Sequence, residues 1–365
     1  MSFAGRLISA AAAVLLLVPG AALAQSAPAE WQQTIDKAKS QKLIIINQGN
    51  PAFDAAFEAF TKKFGIEVES TVSRPSAAIT RIQTEQQNGL YLADVWWSIT
   101  GIMTSVASPG GLFEPFDKYL ILPEVKDVSN WRHPDYIYGD RNKTVFIHTN
   151  ELSFTVLRNR DVIPDLKIES YDSLMDPRLK GKIAIRDASY PNAGSYALAP
   201  LYKTKGADFL AKFLETQNPR VFGNPEQLDN SLVRGSSALA IGGQNSSLSQ
   251  CRKDGGCKNI DQVKLFASAS SRGVAVFKNP PNPEAAKVFV NWLLSKEGQE
   301  LLIREWPKAN TTGAVSMRKD VAPAPGHEEY LPDFTNPDQY VWVSTQQGDE
   351  EVKLVTDVFK AWYNK

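Results

Sequence analysis

The sequence predicts an α/β protein built from two units around mainly parallel sheets. Three observations carry that expectation. Short β-branched apolar runs alternate with helical patterns along the chain. The 365 residues exceed the roughly 100–200 that one domain usually holds. Hydrophobic residues make up 43% and charged residues 22%, a globular balance that excludes disorder and a polytopic membrane protein.

The first segment is an address signal. Arg6 precedes the apolar run Leu7 to Val18, then Pro19-Gly20 and the small-residue triplet Ala22-Leu23-Ala24. That order marks residues 1–24 as a secretory signal peptide, expected to be cleaved after Ala24 to leave a soluble exported protein. A membrane anchor is the alternative, but the run falls short of the ~20 apolar residues of a spanning helix.

Leu43-Ile44-Ile45-Ile46 reads as a buried parallel strand. Asn50 caps the helix that follows and Pro51 suits its first position. Phe53, Phe57, Phe60 and Phe64 recur at helical spacing as a core stripe, and Gly65 ends the helix. Ile66 to Glu69 alternates like a strand, Ile79 and Ile82 mark a second helix, and Ala93 to Trp97 a third strand. Further strands are expected at Thr144–His148, Lys182–Arg186, Ala238–Ile241 and Gly273–Phe277. Asn282-Pro283-Glu284 starts a helix whose face carries Ala286, Phe289, Val290 and Leu293.

Forty basic residues balance forty acidic ones, which argues against a nucleic-acid partner. The sequence lacks G-x-G-x-x-G, the phosphate-binding G-x-x-x-x-G-K-[ST], H-E-x-x-H and G-x-S-x-G. No catalytic set, metal site or cofactor is expected. His133 and His327 read as surface residues, and His148 as structural within its strand. Cys251 and Cys257 read as a local disulfide in an exported chain, with a metal pair as the alternative.

Polar turns remain at the carboxyl ends of the strands, where open α/β sheets bind ligands. The candidates are Asn47, Gln48 and Asn50, then Ser73 and Arg74, then Trp97 and Ser98. In the second half they are Arg186 and Asp187, the helix start Asn192-Ala193-Gly194, and Gln244-Asn245-Ser246, with Arg272 beyond them. If arginines converge there, an organic anion is the natural partner. One of Trp96 and Trp97 is expected to wall the cleft, because strand neighbours face opposite ways.

Three stretches resemble a known family. Asp176-Pro177-Arg178-Leu179-Lys180-Gly181-Lys182-Ile183 is similar to a stretch of periplasmic solute-binding proteins that serve ABC importers. Pro283 to Lys287 with Asn291 to Gln299 resembles a long segment of their ferric-binding branch, as does Ala93 to Ser98. The resemblance implies a type II periplasmic binding fold: two α/β lobes, a two-crossing hinge, and a ligand trapped in the cleft. It places lobe one at 25–143 plus 264–330 and lobe two at 144–263; residues 331–365, beyond the reach of the resemblance, read as a C-terminal helical extension packing on lobe one. The crossings fall near Thr144–Ser153 and Val263–Phe277. A transient partnership with an inner-membrane ABC permease, a small-molecule ligand and a monomeric state follow from it. The chain departs from the ferric branch at Gly242 to Ser247, where those relatives carry adjacent tyrosines. An organic anion is therefore expected over bare Fe³⁺, with a ferric-binding protein as the alternative and an exported enzyme on the same fold as the remoter one.

Overall fold

The computed structural model describes residues 28–133, 135, 137–243, 251, 252, 254–309, 315–343 and 345–365. The expected signal peptide and Gln244, Asn245 and Ser246 lie outside these residues.

The chain opens with α1 (Ala29–Ala38), β1 (Lys42–Asn47), α2 (Pro51–Phe64), β2 (Glu67–Val72), α3 (Pro75–Gln87) and β3 (Val95–Ile99). The centre of β1, Leu43 to Ile46, is apolar because helices cover both faces of its sheet. Leu43 and Ile45 enter one core with Phe53, Phe57, Phe60 and Trp97. Ile46 enters the other with Ile79, Ile82 and Trp96. The start and stop signals act as expected: the Asn50 side chain accepts from the Ala52 N–H, and Gly65 closes α2 at φ +71°.

β4 (Phe146–Phe154) runs straight into β5 (Val156–Asn159), and only Thr155 separates them. β6 (Ile183–Arg186), α4 (Ala193–Gln217, broken at Gly206), β7 (Arg220–Phe222), α5 (Pro225–Val233), β8 (Leu239–Ile241) and β9 (Ile260–Gln262) follow. β10 (Ala267–Val276), α6 (Pro283–Leu294), α7 (Lys296–Ala309), β11 (Val341–Val343) and α8 (Gln346–Tyr363) complete the fold.

Two sheets form, one per lobe. The first has the order β11-β10-β3-β1-β2, with β4 on the other side of β10; the second has the order β7-β6-β8-β5-β9. β1 pairs in parallel with β2 and β3, whereas β10 is antiparallel to β3 and β4. The chain crosses to the second sheet at Thr155 and returns between β9 and β10.

Two lobe boundaries differ from the sequence expectation. Residues 146–154 belong to the first sheet, because β4 pairs with β10 from Phe146 to Phe154. The C-terminal segment does not rest on the first lobe alone. β11 pairs with β10, but Val341, Val343, Val352, Val355 and Phe359 share a core with Leu198, Leu201 and Phe213 of the second lobe. A third crossing therefore joins the lobes. The expected disulfide between Cys251 and Cys257 is present.

Candidate functional site

In the first lobe the strand ends arrange their own turns. The Asn47 amide donates to Ser70 Oγ (2.7 Å) and its Oδ1 accepts from the Gly49 N–H, while its carbonyl accepts from Ser73 N–H. Gln48 Oε1 accepts from Ser98 Oγ and from the Ile99 N–H, both at 3.2 Å. Asn50 is committed to capping α2, and Arg74 is exposed beside Ser73 at the start of α3. The structure thus gathers Asn47, Gln48, Asn50, Ser73, Arg74 and Ser98 along one sheet edge.

In the second lobe Arg186 ends β6. A Cβ on Gly194 would lie 2.6 Å from the Arg186 carbonyl oxygen. A Cβ on Gly242 would lie 2.8 Å from the Gly194 nitrogen and 3.0 Å from Arg186 Cβ. Glycine at both positions lets the ends of β6 and β8 meet the first turn of α4. Asn192 caps that turn, accepting from the Gly194 N–H and donating to the Asp187 carbonyl. Asp187 accepts from Ser189 N–H. Ala193 sits half-buried in the same turn. The Arg186 guanidinium has no ion-pair or hydrogen-bond partner among the described residues, and its Nε is buried. A half-buried cation without a counter-charge is the strongest electrostatic feature of this edge.

Two candidates land elsewhere. Trp97 is fully buried, stacked on Phe53 at 3.9 Å and donating its Nε1–H to His148 Nε2 at 2.7 Å. Trp96 is buried in the opposite core. Neither indole walls a cleft, because both faces of the sheet are covered. Arg272 is not free either: its Nη1 donates to Glu151 Oε1 at 2.9 Å, and its guanidinium lies 4.4 Å from the Trp306 ring.

That pair belongs to a polar stripe that the sequence reading missed. Thr149 and Arg272 face each other across β4 and β10, and Glu151 lies two residues further along the same face of β4. Thr149 Oγ1, Glu151 Oε2, Arg272 Nε and Trp306 Nε1 are all buried without hydrogen-bond partners among the described residues, as is Thr155 Oγ1 at the crossing. The missed signal is Thr149-Asn150-Glu151, a polar run without Gly or Pro that continues a strand. Nearby His148, fully enclosed, is held neutral, its pKa pushed down to about 3 by burial and then by Arg272. Thr155 ties the stripe to the second lobe: its carbonyl accepts from Gly242 N–H (2.9 Å) and Gly243 N–H (3.0 Å). A cavity of about 560 Å³ between the Tyr138–Lys143 turn and Thr345–Gln347 contains none of the expected residues. Among the described residues no group of three or more His, Cys, Asp or Glu is placed to hold a metal.

A family model described as bacterial extracellular solute-binding protein matches residues 55–333. An uncharacterized protein of Haemophilus influenzae is 25% identical over 301 residues, covering 80% of this chain and 82% of that protein. Iron-bound HitA from Pseudomonas aeruginosa is similar in fold at TM-score 0.61 and 20% identity, covering 87% of this chain and 99% of the other. AfuA from Actinobacillus pleuropneumoniae, with fructose-6-phosphate bound, is similar at TM-score 0.59 and 19% identity, covering 88% and 98%.

Proposed function

The chain belongs to the bacterial extracellular solute-binding proteins, and from that premise we propose that it traps a small organic anion between its lobes for an ABC permease. The family is one of binding proteins, and its members work with importers rather than as enzymes. No described helix is long and apolar enough to cross a membrane. In the proposed cycle residues 1–24 direct export and are removed after Ala24, and the mature chain works as a periplasmic monomer.

One observation carries the choice of an anion. Arg186 stands at a strand end, beside the first turn of a helix, with no counter-charge among the described residues. A carboxylate or phosphate group would supply the charge and the acceptor atoms that this guanidinium lacks. The helix dipole and the glycine-lined approach at Gly194 and Gly242 favour the same chemistry. A ligand touching both lobes stabilises the closed arrangement, which is how occupancy becomes a shape that a permease can read.

Similar structures differ in cargo, one holding iron and another a sugar phosphate. The absence of tyrosine from Gly242 to Ser247 supports the anion over the metal. Thermal-shift and calorimetric titration of the purified protein against organic phosphates, carboxylates, amino acids and Fe³⁺ tests the reading. An organic anion is expected to bind, and Arg186→Ala to weaken it by about 2–5 kcal/mol if the contact is buried. Tight ferric binding with a visible charge-transfer colour would overturn the proposal.

A further inference from the structure

Asp349 lies where three parts of the chain meet. It belongs to the first turn of α8, which Thr345 caps by accepting from the Gly348 N–H at 3.1 Å. That turn is seated on the first lobe, because the Gln346 N–H donates to the Gly139 carbonyl at 2.9 Å. A Cβ on Gly348 would lie 1.9 Å from the Trp342 carbonyl oxygen, so the seat is tight. Thr104, fully buried in the short helical segment Met103–Ala107 after β3, turns its hydroxyl to the Asp349 carboxyl from the first lobe. Tyr196 of α4 faces it from the second. Asp349 Oδ2 is buried without a hydrogen-bond partner among the described residues.

The charged groups around it are engaged elsewhere. Arg141 reaches Glu350 at 3.2 Å, Lys203 reaches Glu351 at 3.6 Å, and Lys143 lies over the Tyr138 ring. Asp140 accepts from Ser108 and Thr144, and Lys353 is exposed. Met103–Ala107 carries no charge, so a carboxylate at Asp349 would stand uncompensated in the contact. The hydroxyl chemistry agrees. Thr104 Oγ1 donates to the Thr100 and Gly101 carbonyls at 3.1 and 3.0 Å. Its oxygen can accept from a protonated acid without loss, but to donate to a carboxylate it must leave those carbonyls. We propose that protonated Asp349 latches α8 to Thr104 of the first lobe, and that ionisation releases this contact and frees the lobes to part. The latch is a pH-dependent stop on lobe motion, whichever ligand the chain takes. Burial keeps the latched carboxyl protonated up to about pH 7, whereas a released one titrates at its ordinary 3.8. The latched form therefore holds a proton that the released form gives up between those values. The ratio of released to latched chains rises up to about tenfold per pH unit across that window and levels off above it.

Hydrogen exchange of the full exported protein, free of ligand, reads the latch at the Gln346 amide, whose bond to Gly139 crosses the contact. After correction for base catalysis, its protection is expected to fall about tenfold per pH unit from pH 5 to 7. Asp349→Asn, a neutral isostere, should keep the pH 5 protection throughout. Thr104→Val removes the hydroxyl and keeps the shape, and should lose about tenfold in protection at pH 5. Small-angle scattering over the same range should show the radius of gyration rising with pH in the parent and constant in Asp349→Asn. Flat protection in the parent overturns the inference, and so does the same pH slope in both proteins. Lost protection with an unchanged radius would confine the release to one helix turn and refute the stop on lobe motion. No ligand enters this test, so failure of the anion reading above would leave the latch standing, and failure of the latch would leave that reading untouched.

Discussion

Two enclosed side chains give stability opposite dependences on pH. His148 takes the Trp97 indole proton on Nε2 and stays neutral, with its pKa down at about 3 against an ordinary 6.5. Below pH 6.5 the unfolded chain binds a proton that the native state refuses, so His148 lowers stability as pH falls from about 6.5 to about 3. Asp349, in the first turn of α8, is pushed the other way, up to about 7 by burial, with the Thr104 hydroxyl opposing the shift. Its Oδ2 has no hydrogen-bond partner among the described residues. The Tyr196 phenol of α4 faces it and is itself pushed up to about 12, by burial first and then by this carboxylate. The native state keeps the Asp349 proton from about pH 3.8 to about pH 7, so stability falls over that window. Between pH 4 and 6.5 the two slopes, each about 1.4 kcal/mol per pH unit, nearly cancel. Asp349→Asn should therefore gain on the parent as pH rises to 7, by a few kcal/mol at most, about 4, and then hold that gain. Urea melts from pH 4 to 8 check this. Parallel curves for the two proteins would show that Asp349 does not titrate across the window.

Among the elements, the packing of β6, β8 and α4 depends on glycine where the backbones meet. Gly242 has φ +85°, and its Cβ would meet the Gly194 backbone, which cannot rotate away as a side chain could. Gly242→Ala should cost about 1–3 kcal/mol and, by displacing Arg186, weaken anion binding about tenfold. Gly255→Ala is the control, at φ +81° but with open space around it. Equal effects from the two would reduce the Gly242 result to backbone strain alone. The same scale shows what the sequence disclosed. Asn50, Pro51 and Gly65 announced α2 because caps act on their own chain neighbours. The Phe53–Phe64 stripe and the apolar β1 announced a covered sheet by periodicity alone. Trp97 misled because alternation tells that neighbours face apart, not that both faces are roofed by helices. Arg272 and Glu151 are 121 residues apart, and their pairing is set by the register of β4 against β10, which no local pattern records. The polar turns at the strand ends were legible, and the pairing along the long crossing strands was not.

For the whole molecule, the C-terminal segment decides how the lobes hold together. β11 lies beside Ser268–Ser270 of the first sheet, and α8 buries Val352, Val355 and Phe359 in the core of the second lobe. At its start Glu350 reaches Arg141 of the first lobe at 3.2 Å, while Glu351 reaches Lys203 of the second at 3.6 Å. Exposed pairs of this kind contribute little, ~0–1 kcal/mol each, so the apolar face carries the attachment. Deleting residues 340–365 should then unroof α4 and leave the first sheet's own core in place. Hydrogen exchange should show lost protection along α4 and β6 with β1 and β3 still protected, and uniform loss would refute the assignment of this helix to the second lobe. Three crossings also constrain the motion on which binding depends. In the proposed trapping cycle, a chain tied at Thr155, at residues 263–266 and again near Thr345 would close by bending at those crossings, with little sliding of one lobe past the other. A bound anion that joins Arg186 to the first-lobe strand ends should lower the radius of gyration measured by small-angle scattering. Arg186→Ala should abolish that compaction at ligand concentrations that saturate the parent protein. An anion that raises the melting temperature yet leaves the radius unchanged in both proteins would mean that binding in this chain is confined to one lobe.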